Sequence, residues 1–111
     1  MQTKALDMVI EHLSHTFHFD QNETKKLLEM LRSTLSESIP NLRSTDTGRI
    51  YMQAHKLHSE FHSCGYERLS EIAEAIELQA KSGSIDQQQI DEFLAQLADF
   101  AAAIDQWLVA N

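Results

Sequence analysis

The sequence predicts an all-α fold, an antiparallel four-helix bundle with an additional N-terminal helix packed across it, and three observations carry that expectation. Only three glycines and one proline occur in 111 residues, and 42% of the chain is apolar, a composition rich in good helix formers. Apolar residues recur at spacings of three and four through five successive stretches, the period of a helix face rather than of a strand. Short polar joins with capping residues separate those stretches, and amphipathic helices joined so tightly can bury their faces only against one another.

In the first helix, expected over residues 3–17, Leu6, Val9, Ile10, Leu13 and Phe17 share one face. It should end near His18, because Asp20 followed by Glu23 is a capping-box pattern that opens a second helix. Leu27, Leu28, Leu31 and Leu35 form the second stripe, and Pro40 disfavours helical geometry at Ile39, which predicts a stop at about Ser38. Asn41 to Thr45 then serves as a short join. Asp46 is a good N-cap for a third helix from Thr47 to about Ser63, and Gly65 is placed to supply a left-handed turn. A fourth helix follows from Tyr66 to Lys81. Leu69, Ile72, Ala73, Ile76 and Ala80 face inward on it, Glu67, Glu71, Glu74 and Glu77 mostly outward, and Gly83 stops it. Ser84 with Gln87 reads as a second capping box. Beyond it Ile90, Phe93, Leu94, Leu97, Ala101, Ile104 and Leu108 hold a stripe to the C-terminus, flanked by Trp107 as a further core residue. The expected organisation is one domain over 1–111, with residues 1–18 as the packing helix and 20–111 as the bundle.

Charge and composition exclude several functions. The net charge is −8, and after Arg68 the sole basic residue, Lys81, stands against eight acidic ones, a poor surface for nucleic acid. A single cysteine, Cys64, rules out an internal disulfide and a multi-thiolate zinc site, and its place on an apolar seam makes it a core residue. No apolar run approaches the ~20 residues of a membrane span and no leader pattern opens the chain, so a cytoplasmic protein is expected. Met1 and the tidy ends lean towards a free-standing chain, with a domain of a larger hybrid kinase as the alternative. The apolar residues fit one bundle, so a monomer is expected.

The third helix carries the chemistry. Ile50, Ala54, Leu57, Phe61 and Cys64 form its inward seam. At about 100° per residue, His55 projects about 140° from the middle of that seam, with Tyr51, His58 and His62 at about 80–120° on the same flank. His55 should therefore face water. Ala54-His55, Leu57, Gly65 ten residues after the histidine, Leu69 four further on and Asp46 nine before it resemble the signature of histidine-containing phosphotransfer (HPt) domains. The resemblance runs from roughly Glu23 to the C-terminus. It implies a four-helix bundle whose exposed histidine accepts a phosphoryl group from, or donates it to, an aspartate of a receiver domain. The family's lysine and glycine, three and four residues after the histidine, are replaced by His58 and Ser59.

By that resemblance His55 is the phosphoacceptor, reacting through Nε2, and the partners are a response-regulator receiver domain or a hybrid sensor kinase. The chain itself needs no cofactor, since the resemblance places Mg²⁺ in the receiver. An ordinary imidazole is largely neutral at pH 7, as a nucleophile requires. His58 is a pH-dependent stand-in for the lysine, Ser59 adds a small side chain where the partner approaches, and Lys56 points about 100° away and has a minor part. Glu60, where the family has a small residue, lies on the opposite flank and should be solvated or paired with a neighbouring helix. Tyr51 and His62 are candidate partner contacts, with Tyr51 equally readable as a half-buried edge of the core. Asp46 and Gly65 are structural parts of the motif.

Two further readings stand beside this one. The departures at His58 and Ser59 fit an HPt-like docking module that binds a receiver or kinase without transfer. His55, His58 and His62, spaced i, i+3, i+7, and the Glu11–His15 pair could chelate a divalent ion, although no fourth ligand is placed. The chain has no glycine-rich phosphate loop, no Mg²⁺-binding carboxylate cluster and no base set against Cys64, so independent catalysis is not expected.

Overall fold

A computed structural model of the chain describes residues 4–111 and consists of five helices: α1 (Lys4–Phe17), α2 (Gln21–Leu42), α3 (Thr47–Ser63), α4 (Glu67–Ser82) and α5 (Gln87–Ala110). Thr3, the expected first residue of α1, lies outside the described residues. Local chemistry sets most of the boundaries. The Asp20 carboxylate accepts from Glu23 N at 2.8 Å while the Glu23 carboxylate accepts from Asp20 N at 3.0 Å, the reciprocal capping box. Asp46 Oδ1 accepts from Gly48 N at 2.9 Å and opens α3. Gly65, at φ 83°, turns the chain from α3 into α4, with Tyr66 standing as the N-cap residue of α4.

Two boundaries differ from the sequence expectation. Helix α2 does not stop at Ser38 but runs through Pro40 to Leu42, so the join to α3 is shorter than Asn41 to Thr45. Tertiary contacts outweigh the local preference of Ile39: Leu42 is fully buried, Asn41 donates to Gln53 Oε1 at 2.8 Å, and Gln53 donates in turn to the buried Ser38 hydroxyl at 2.7 Å. Nor does Ser84 cap α5. The left-handed Gly83 commits Ser84 to ending α4, its N–H bonding to Gln79 O at 3.0 Å. Asp86 caps α5 instead, accepting from Gln88 N and Gln89 N.

Helices α2 to α5 pack in a ring, α2 on α3, α3 on α4, α4 on α5 and α5 back on α2, with α3 against α4 the most extensive pairing. Gln21 near the start of α2 donates to Asn111 at the end of α5, and Gln79 bonds Gln89 across the α4–α5 turn, which fixes the antiparallel sense. The core holds Leu28, Leu35, Leu57, Phe61, Leu69, Ile76, Phe93, Leu97 and Ile104. Helix α1 buries Leu6, Val9 and Leu13 against α2 and α5, while Phe17 stays largely exposed. Trp107 is buried, as its flanking position predicts. By length and composition α5 could cross a membrane, which the sequence expectation did not anticipate. Its apolar residues, Ile90, Phe93, Leu97 and Ile104 among them, instead fill the bundle core.

Candidate functional site

Four consecutive inward positions of α3, Ile50, Ala54, Leu57 and Phe61, are buried, so the helix can present only one face to the core. That constraint puts His55 on the outside, with 61% of its side chain exposed. The Tyr51 ring lies almost parallel to the imidazole, with centroids 6.0 Å apart. Tyr51 is half-buried against the core, the second of its two expected placements.

The unexpected member of the site is Glu77. Sequence reasoning turned it to solvent with its neighbours, yet only 12% of its side chain is exposed, because α4 rolls that flank onto α3. Glu67, Glu71 and Glu74 do face water. Folding about Gly65 sets residues of α3 and α4 opposite one another: His55 with Glu77, His58 with Glu74, His62 with Glu67. A near-equal offset from Gly65, together with Ala73 and Ala80 one turn to either side, was the sequence signal for Glu77 facing inward.

The contacts assign the ring protons. His55 Nδ1 lies in short contact with Glu77 Oε1, and a carboxylate only accepts, so Nδ1 carries the proton and donates. In the neutral ring Nε2 then keeps its lone pair. His58 is more enclosed. Its Nδ1 is 3.2 Å from Glu77 Oε2 and its Nε2 is 3.0 Å from Glu74 Oε2, so only the doubly protonated ring donates to both. Its position is further fixed by Ser70, which donates to the His58 carbonyl at 3.0 Å.

The remaining candidates divide by flank. Lys56 turns to α2, 3.6 Å from Glu37, and is not brought to the imidazole. Ser59 is exposed one turn beyond His55, on the side of α2, and His62 pairs with Glu67 at 3.1 Å. Met52, 67% exposed one turn before His55, is an apolar surface residue that sequence reasoning missed; its place off the α3 seam was the available signal. The histidines of α3 pair with carboxylates, and among the described residues no group of three or more His, Cys, Asp or Glu side chains is arranged to hold a metal. Glu11 and His15 form an open pair at 3.8 Å. Cys64 is buried, its thiol pushed up to about 11 chiefly by desolvation, so it is no nucleophile at neutral pH.

Comparison with known proteins gives one result. The model of the family described as Hpt domain matches residues 23–107. No curated protein and no solved structure matches the chain.

Proposed function

The chain belongs to the Hpt domain family, and from that premise we propose that it is a phosphorelay module, cytoplasmic in location, whose His55 exchanges a phosphoryl group with a receiver-domain aspartate. The observation that carries the proposal is the division of the imidazole: Nδ1–H held by Glu77, Nε2 open on an exposed helix face. In the forward step the Nε2 lone pair attacks phosphorus in line, the P–O bond to the aspartate breaks, and the bonding pair leaves with the receiver's carboxylate. The ring then holds Nδ1–H and Nε2–P and carries a positive charge that faces Glu77. Return of the phosphoryl group reverses the same bonds. The receiver and its Mg²⁺ supply the electrostatic stabilisation, and this chain supplies nucleophile, orientation and docking surface.

One observation favours a second reading, docking without transfer. Where the family has a lysine, His58 has both ring nitrogens engaged by Glu74 and Glu77, so the neighbourhood of the phosphoryl group is acidic. Incubation with a panel of phosphorylated receiver domains and Mg²⁺ separates the two. Phosphotransfer is expected to leave acid-labile, base-stable label on the wild-type chain and none on His55→Gln, with the melting temperature nearly unchanged because the side chain is exposed. Binding without label supports the docking reading. Label that survives in His55→Gln refutes the assignment of the histidine.

A further inference from the structure

Glu60 is the acidic residue of α3 that phosphoryl chemistry leaves without a task. Its side chain leaves the helix on the flank toward α2, and its Oε2 is buried with no hydrogen-bond partner. Burial pushes the carboxyl above its usual range, against the pull of Lys56 and of the Thr34 hydroxyl. Lys56 already lies 3.6 Å from Glu37. A buried carboxylate oxygen with no donor is costly, and a cationic group from outside would satisfy it.

The surface around Glu60 is shaped for such a group. A groove of about 590 Å³ runs between α2 and α3 beneath the end of α1, with Phe17 (49% exposed) and Met30 (68%) among its apolar walls. A second, shallower groove on the same side of α3 includes His55 and Met52. Lys56, Ser59 and Glu60 line both, so the surface is continuous from the imidazole to the Glu60 carboxylate. An occupant matched to it has methylenes for the walls and a positive end for Glu60, which describes arginine or lysine. The net charge of −8 acts in the same direction on the encounter.

Resting on the phosphorelay reading, we propose that this groove anchors the receiver: a basic side chain of the receiver lies along Phe17 and Met30 and donates to Glu60. Glu60 itself lines the groove, and docking there requires its carboxylate to turn so that Oε2 meets the donor. Glu60 is thereby a specificity residue, selecting receivers that offer a cation at that place.

The test compares wild type, Glu60→Gln and Glu60→Lys with two phosphodonors: phosphoramidate, which is too small to use the groove, and the phosphorylated receiver that labels the wild type fastest. Affinity for unphosphorylated receivers is titrated in parallel. The expected result is unchanged labelling by phosphoramidate, with receiver transfer or affinity reduced about tenfold in Glu60→Gln and more in Glu60→Lys. Exchanging the receiver's basic residue for glutamate should then restore Glu60→Lys. Equal transfer and affinity in all three chains overturns the anchor and leaves the phosphorelay standing. Equal losses with both donors make Glu60 a structural residue and also overturn it. A panel in which no receiver labels or binds the chain overturns both the anchor and the phosphorelay reading.

Discussion

At His55 the two ring nitrogens have different surroundings, and the proposed chemistry divides between them. Nε2 meets solvent, while Nδ1 meets a carboxylate that is largely withdrawn from water and therefore less screened. In that proposal Glu77 is a positioning residue: it contacts Nδ1 rather than the reacting Nε2 and so fixes which nitrogen carries the proton. In Glu77→Ala both tautomers become populated and the ring can swing, so labelling of His55 by phosphoramidate should fall about 10- to 100-fold. Glu77→Gln retains an amide oxygen that accepts from Nδ1–H and should recover part of the rate. Nitrogen chemical shifts of the His55 ring distinguish this role from a structural one, since loss of fold alone leaves no native ring with a mixed tautomer. A Glu77→Ala chain that labels at the wild-type rate would show that the orientation is irrelevant.

The α3–α4 pair is the element on which that geometry depends, and Gly65 sets its register. At φ 83° the position is left-handed, and a Cβ there would lie 2.5 Å from Cγ of His12, so backbone and packing both exclude a side chain. Gly65→Ala should cost about 2–4 kcal/mol in urea unfolding. Adding His12→Ala should recover the packing part and leave the backbone part. Phe61→Ala, which empties a fully buried site packed on Tyr66 and Phe100, should cost about 3–5 kcal/mol in the same measurement. These positions were legible in the sequence because spacing along one chain defines them: Asp46 as cap, Gly65 as turn, His55 opposite the seam. Glu77 was not, because its direction depends on how α4 rolls against α3. The run of Pro40 inside α2 was hidden for a related reason: Ser38, Asn41 and Leu42 are held by partners far along the chain, which no local preference reveals.

Across the whole molecule, stability and the proposed docking make opposing demands at Glu60. The core is otherwise well satisfied: of its four buried polar residues, Thr24 among them, the side chains of Ser38, Gln53 and Ser70 are hydrogen-bonded, and among the described residues the one buried side-chain polar atom left without a partner is Glu60 Oε2. Desolvation raises this carboxyl above its ordinary 4.5 in the folded state, so the folded chain holds the proton more tightly than the unfolded chain. The sign follows by linkage: the stability contributed by protonated Glu60 is fully present below the unfolded value and is lost as pH rises through the raised folded value. At pH 7 the residue is a liability to the fold. Glu60→Gln is therefore expected to be more stable than the wild type at pH 7, and the difference should shrink toward zero as pH falls below 4.5. Urea titrations of both chains at several pH values measure it. A Glu60→Gln chain that is less stable than the wild type at pH 7 would mean that the ionised carboxylate is satisfied within the bundle, and the groove would then have no unmet charge to offer a partner. A more stable chain that also loses receiver affinity would tie the stability forgone at neutral pH to the docking surface beside His55.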